Sequence, residues 1–347
     1  MKWKFGKLAF AVVAGLASIS ATFGKQTFDW DVSDLGVYVD EQSPDVMQDL
    51  INSGNIKSRI NVMTGVKGSE RIKLINSQPT LQAASACGWT PEGGMILTNE
   101  TISTVRVKIQ EEYCNEDLND VWAQMMNVAG ANAQDETPPN FADAMLVYYQ
   151  QRAQELDENL IMNGDTTSLI DSLAHYNGFV KRWNADANVN VAYVSSPATT
   201  ITKANGFDVL KDVYNQTPTI VKRHKDTVGY EIVCGYEVAR ACIDQVWDDK
   251  DYSSQFTVTE ANGEISFTLP TTNVTVRSYP QLDGTNHVFG LCYKYMFYGT
   301  DLENDRDGFK WKYSDFDELL RFGVKWRSGI AYVFPEYFTK LRLTPTS

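Results

Sequence analysis

The sequence predicts an α+β fold: a β-rich excursion first, one long helix in the middle, and a compact α/β lobe behind it. Three observations carry this. Strand-like alternation dominates residues 56–110, most clearly in "TISTVRVKIQ". A 3–4 spacing of Phe141, Met145, Tyr148, Tyr149, Leu156 and Leu160 marks a helix over 141–162. Helix and strand patterns then alternate through residues 207–315.

The chain opens on Lys2, Lys4 and Lys7, followed by an apolar run from Leu8 to Ile19. That pattern matches a secretory signal peptide and is too short to span a bilayer. Phe5, Leu8, Val12, Leu16 and Ile19 also fall at helical spacing, so an amphipathic arm or a buried helix is the preferred expectation. Residues 26–50 then carry seven Asp or Glu and no Lys or Arg, while residues 1–25 carry four Lys and no acid. Such an asymmetry points to an arm with its own task. Residues 26–55 read as extended, with a short helix in "DVMQDLIN".

Two strand-like runs surround Gly65 and Gly68, and "CGWTPEGG" is a turn-rich tip or crossing. In "TISTVRVKIQ", Ile102, Thr104, Arg106 and Lys108 are expected on one face, and Val105, Val107 and Ile109 on the other. Both faces suit a hairpin lying on another subunit. A short helix is expected over 114–128. The long helix is expected to start at an Asn140 N-cap and to close on Gly164 as a C′ residue. At about 1.5 Å per residue it is roughly 33 Å long. Residues 184–206 are polar and read as a crossover. "FDVLKDVYNQ" and "YEVARACIDQVW" read as helices around a buried strand "YEIVCG". A hairpin is expected to turn at Asn262-Gly263. The last strands are expected to separate at Ser328-Gly329.

The composition bounds the function. The chain has 347 residues, 43% apolar and 22% charged, enough for one large domain or two to three lobes. Its net charge of −13 would repel phosphate, which argues against sequence-reading of DNA. Five cysteines (Cys87, Cys114, Cys234, Cys242, Cys292) form no C-x-x-C and read as buried free thiols. His175, His224 and His287 stand apart, and no hydrolase, zincin, P-loop or dinucleotide motif occurs, so no enzyme and no cofactor are expected. The best metal candidates are Asp301, Glu303, Asp305 and Asp307 in "DLENDRDG". That run mimics the start of a calcium loop, but Ser314 stands where the bidentate Glu belongs, so no metal is expected. Arg321, Lys325, Arg327, Lys340 and Arg342 are a basic counterpart to the acidic 29–49 segment, either as pairs across subunits or as solvated strand faces.

Four passages in order resemble one family. They are "CGWTPEGGMILTNETISTVRVKIQEEYCNEDL", "AQELDENLIMNGDT", "MFYGTDLENDRDGFKWKYSD" and "GVKWRSGIAYVFPEYFTKL". Together they resemble major capsid proteins of tailed bacteriophages with the Hong Kong 97 phage fold, particularly those of crAss-like phages. The resemblance spans roughly residues 30–345, and residues 1–25 depart from it. It implies an N-terminal arm over 1–55, an extended β-hairpin loop over 56–107 and a peripheral domain over 108–190 with a spine helix at 141–162. An axial domain follows over 191–315, and the C-terminal strands of 316–347 return to the peripheral domain. It implies a non-enzymatic shell subunit found in virions, and in host cytoplasm during assembly. Its partners would be itself in hexamers and pentamers, portal, scaffold or decoration proteins, and packaged DNA held non-specifically, with no small-molecule substrate. On this layout Lys67, Lys73, Trp89, Arg106, Arg321, Lys325 and Arg327 are expected at inter-subunit contacts, and Lys2, Lys4 and Lys7 against genome or scaffold. The rival readings are an encapsulin-like compartment shell and a secreted β-rich surface protein.

Overall fold

The computed structural model describes residues 54–79, 93–114, 139–194, 200–249, 256–261, 264–270, 272–301, 309–314 and 319–343. The expected arm with Lys2, Lys4 and Lys7 lies outside the described residues. So do Trp89, the short helix expected after residue 114, and Glu303, Asp305 and Asp307.

In chain order the elements are β1 (Asn61–Met63), β2 (Ser69–Pro79), β3 (Gly93–Ser103), β4 (Val105–Cys114), α1 (Pro139–Asn163), α2 (Phe179–Ala185) and β5 (Asn190–Tyr193). Then come α3 (Gly206–Gln216), α4 (Thr219–Arg223), α5 (Lys225–Val228), β6 (Tyr230–Cys234), α6 (Tyr236–Asp249), β7 (Val258–Ala261), β8 (Glu264–Leu269) and β9 (Val274–Ser278). The chain ends with β10 (Val288–Cys292), β11 (Met296–Gly299), β12 (Phe309–Ser314), β13 (Leu319–Tyr332) and β14 (Thr339–Arg342). It divides into two compact units. One holds residues 1–50, 108–153 and 303–326; the other holds 51–107, 154–302 and 327–347.

In the first unit β12 pairs antiparallel with the start of β13, from Phe309↔Val324 to Ser314↔Leu319. Tyr149 of α1 stacks on Phe322 with centroids 3.8 Å apart, and Tyr113 tilts against Tyr149 at 6.3 Å. Aromatic pairs add a fraction of a kcal/mol to about 1.5 kcal/mol beyond the area they bury.

The second unit is built on a seven-stranded sheet in the order β5-β14-β10-β6-β9-β8-β7. Its central strands β6 and β10 are buried almost throughout, in keeping with "VFGLC" and with "YEIVC", which is apolar but for Tyr230 and the ion-paired Glu231. Helix α3 turns Val209, Leu210 and Val213 inward at helical spacing, and α6 does the same with Val238, Ala239, Cys242, Ile243 and Val246. Trp183 of α2 is fully buried among Phe179, Phe289 and Phe338, at centroid distances of 5.0, 4.9 and 6.0 Å. Strands β7 and β8 pair antiparallel up to Ala261↔Glu264, while the turn expected at Asn262-Gly263 lies outside the described residues.

Four expectations need correction. Ser328-Gly329 does not separate the last strands: β13 runs through it, and the break comes at Phe334, whose φ of 58° turns the chain toward β14. Gly329 is small because Ser103 and Thr104 of the neighbouring backbone press on its Cα. Gly164 is not a left-handed cap. It lies where two backbones touch, with Gly178 N donating to Gly164 O at 2.7 Å, and a Cβ on either glycine would strike main-chain atoms. Asn140 lies inside α1, which begins at Pro139, a residue preset for a first helical turn. The alternation of 101–110 breaks at Thr104, between β3 and β4. Ile102 and Thr104 are buried before the break and Val107 after it, so the exposed Arg106 and Lys108 do not share the face of Ile102 and Thr104.

These contacts set a test. Gly329→Ala should cost about 1–3 kcal/mol of stability, because rigid backbone must shift to admit one methyl group. Gly323→Ala, whose added carbon meets only ordinary contacts at 3.9 and 4.0 Å, should leave the urea midpoint nearly unchanged. Equal midpoints for the two variants would contradict the close approach.

Candidate assembly site

Strands β2 and β3 pair over eleven residues each, from Ser69↔Ser103 to Pro79↔Gly93, and form a sheet of their own. At about 3.4 Å per residue such a limb is roughly 37 Å long. A lone two-stranded ribbon is only marginally stable in water. Its described burial lies at the base. There Ile72 and Ile102 pack with Val66, Ala331 and Val333, flanked by Met63, Phe297 and Phe334. Two turns set the base: Gly65 and Gly68 take φ of 80° and 137°, which admit glycine readily. Thr104 N donates to Gly68 O at 2.6 Å, and Thr104 Oγ1 donates to Val66 O at 3.0 Å. Lys67 lies between the two glycines and Lys73 opposite Asn99; both are exposed, as is Arg106 on β4.

The limb's approach segment is clamped from two sides. Residues 54–60 form a turn whose Lys57 is fully buried. Its ammonium lies 3.0 Å from Asp157 Oδ2 on α1, and the Tyr298 hydroxyl donates to the same oxygen at 2.9 Å. Next along the helix, Glu158 accepts the Ile56 amide at 3.2 Å and Gln281 Nε2 at 3.0 Å. On the sheet side Arg59 meets Glu231 at 3.3 Å. Glu231 also holds Arg277 at 3.1 Å, and Arg277 reaches Glu264 at 3.5 Å. Tyr176 and Ser328 share a buried hydrogen bond at 2.7 Å.

Burial raises the Glu158 carboxyl above its ordinary range, against the lowering effects of the Ile56 amide and Lys57. Burial, reinforced by the Asp157 charge, pushes the Tyr298 and Tyr176 hydroxyls well above theirs, so both remain neutral. The arrangement fixes backbone; it presents no nucleophile beside a base.

None of this clamp was singled out in the sequence, although a signal existed. Asp157 stands four residues from both Ala153 and Ile161, on the stripe that proves buried along with Tyr149. A carboxylate on an apolar stripe calls for a buried cation.

The other expected residues are scattered. Arg321 pairs with Glu112 at 3.0 Å and is half exposed; Lys325 is exposed. Arg327 is largely buried and pairs inside the chain with Asp301 at 3.3 Å, which also occupies the first of the candidate metal ligands. Lys340 cannot serve a partner subunit: its buried ammonium donates to the carbonyls of Trp183, Asn184 and Asp186 at 2.9, 3.2 and 2.8 Å. Those are the unpaired carbonyls at the end of α2, a natural seat for a cation. No cluster of His, Cys, Asp or Glu that could hold a metal occurs among the described residues. Cys234, Cys242 and Cys292 are buried free thiols, and burial pushes the last two up to about 12. His287 stacks on Phe289 at 5.7 Å, and burial lowers its pKa.

No family model matches this sequence, and no curated protein matches it. Solved structures do. A chain of the satellite phage P4 procapsid aligns with 87% of this chain and 98% of its own length, at TM-score 0.52 and 11% identity. The mixed α+β fold resembles Hong Kong 97-type capsid folds. A Gordonia phage Cozz chain aligns at TM-score 0.49 and 11% identity, covering 96% of this chain and 92% of that one. The SrpI encapsulin of Synechococcus elongatus aligns at 0.46 and 10%, covering 86% and 94%.

The two adjacent carboxylates should respond oppositely to neutralisation. Asp157→Asn strands the buried Lys57 charge and should cost about 3–5 kcal/mol in urea unfolding at pH 7. Glu158 has a folded pKa above its unfolded value. Its contribution is therefore fully present below the unfolded pKa and lost as pH rises through the folded one. Glu158→Gln should accordingly hold or raise stability at pH 7 and flatten the stability–pH curve above pH 4.5. The amide can also pair with Gln281 Oε1, which is buried without a partner. A loss at pH 7 as large as that of Asp157→Asn would refute this assignment.

Proposed function

We propose that this chain is the major capsid protein of a tailed bacteriophage, akin to those of crAss-like phages. It is a structural subunit that self-assembles into the pentamers and hexamers of an icosahedral head around double-stranded DNA. One observation carries the reading beyond the fold likeness: β2 and β3 pair with each other over eleven residues and form a two-stranded sheet of their own. Such a limb gains stability by lying on a neighbouring subunit, which makes folding and assembly one equilibrium. The 56–107 segment is then the extended loop and α1 the spine helix. The seven-stranded sheet is the axial lobe, into which β14 is also built. Lys67, Lys73 and Arg106 are exposed on the limb and its root and would meet the adjoining subunit, with Trp89, Arg321 and Lys325 as further contacts. Lys2, Lys4 and Lys7 would touch genome or scaffold, and portal and decoration proteins complete the partners. The net charge of −13 suits a wall that encloses DNA without gripping it.

Negative-stain microscopy of the purified full-length chain, with light scattering, tests the reading. Closed shells or capsomer rings are expected. A monomer that stays monomeric at high concentration and with its scaffold present would overturn it. Particles from producing cells should protect double-stranded DNA from nuclease; a folded cargo protein without DNA would instead favour a compartment shell.

A further inference from the structure

The loop between Gly164 and Gly178 is tied shut at its neck and stiffened inside. Besides the Gly178–Gly164 bond, Asp165 N donates to Leu173 O at 2.8 Å. The Asp165 carboxylate accepts from Thr167 N and Oγ1 at 2.7 and 2.6 Å and pairs with Lys181. Asn177 Oδ1 accepts from Thr166 N and Oγ1, both at 3.1 Å. At the tip of this closed loop stand Leu169, 100% exposed, and Ile170, 58% exposed, followed by the exposed Asp171. Single exposed aliphatics are ordinary. Two adjacent ones on a loop whose backbone is already held by hydrogen bonds are different, because docking them has only side-chain rotamers left to order.

A second surface of the same chain complements this knob. On α4, Ile220 is 53% exposed, and beyond the buried Val221 come Lys222, Arg223, His224 and Lys225. Arg223 and His224 are exposed. Lys222 and Lys225 lean on the carbonyls of Asn215, Thr272 and Asn273 at 2.8–2.9 Å, so their charge stays beside the patch. With Asp165 paired to Lys181, the loop's free charge is the tip carboxylate of Asp171, whereas 219–225 holds Lys222, Arg223 and Lys225 and is followed by a single acid, Asp226. Copies carrying −13 each repel one another, so a contact between them needs local opposition of charge of this kind.

We propose that the Leu169–Ile170 knob docks on the Ile220–Arg223 patch of a second copy of this chain. The proposal rests on the shell reading and deepens it. Because knob and patch are different surfaces, the contact is head-to-tail and can close a ring. Asp171 would then face Arg223 of the neighbour.

The test uses full-length chain carrying Leu169→Cys with Ile220→Cys, assembled and then oxidised. Non-reducing gels should show a ladder of covalent oligomers ending at five or six subunits, absent from wild type and from either single variant. A Leu169→Ser/Ile170→Ser variant should melt as wild type does, since both residues are exposed, yet yield at least tenfold fewer shells. Asp171→Arg should lower the yield similarly, and adding Arg223→Asp should restore it. Wild-type shells with no ladder and an undiminished yield from the serine variant would overturn the docking while leaving the shell reading intact. Wild type that forms neither rings nor shells would overturn both.

Discussion

A lysine ammonium removed from water must keep its carboxylate, and the pairing of Lys57 with Asp157 is the constraint on which the second unit's architecture turns. Both side chains have no solvent exposure, so neither can find a substitute partner without opening the packing around them. The pair lies 100 residues apart in sequence. It therefore fixes where the chain before the limb meets the helix after it. Tyr298 supplies a second hydrogen bond to Asp157, and with it the strand that pairs in parallel with β1. A purely apolar contact here would allow sliding; a buried charge pair with fixed hydrogen-bond directions specifies one register.

The neighbouring network divides the work. Asp157 meets a full positive charge, while Glu158 meets an amide proton, a side-chain amide and the Cα of Gly54. Gly54 has a φ of 122°, and any side chain there would collide with the Glu158 carboxyl. The turn's backbone is thus written for this one carboxylate. On the other side, the alternation Arg59, Glu231, Arg277, Glu264 runs from the turn across β6, β9 and β8, tying the same segment to the sheet. These charges are mostly shielded from solvent but not sealed, so they position more than they stabilise.

Legibility followed locality. Helices α3 and α6, strand β6 and the β7–β8 hairpin were readable because their signals, apolar periodicity and a two-residue Asn-Gly loop, lie within a dozen residues. The β13 misreading had a non-local cause. Ser328-Gly329 resembles a turn, but the serine hydroxyl is spent on Tyr176 and the glycine makes room for Ser103, facts that belong to distant segments. Gly164 misled in the same way, since a glycine after a helix fits a left-handed cap as well as a backbone crossing. Lys340 looked like a free surface cation because its partners are main-chain carbonyls, which carry no side-chain signature. The clamp was hidden for a related reason: an Asp-Glu pair in a long helix reads as solvated until the lysine opposite is known to be buried. The family resemblance rested on the order of passages more than on any residue, and it is fold, not chemistry, that the solved capsid structures share with this chain.

The limb itself poses the remaining physical problem. A two-stranded ribbon has two open edges, each a row of unsatisfied amides and carbonyls that can template aggregation. Charge near the base guards against that: Glu70, Arg71 and Lys73 are exposed on β2, and Pro79 ends the strand with a residue that cannot donate to a further ladder. Such protection suits a strand pair that must remain soluble before it meets its seat and then give up water selectively. The base is rigid, held by Ile72 and Ile102 in a dry cluster and by the Thr104 bonds to Val66 and Gly68. Rigid at the root and guarded along the edge, the limb is already oriented before a partner arrives. The entropy of placing it is then met during folding of the single chain, leaving more of the interface energy to hold subunits together.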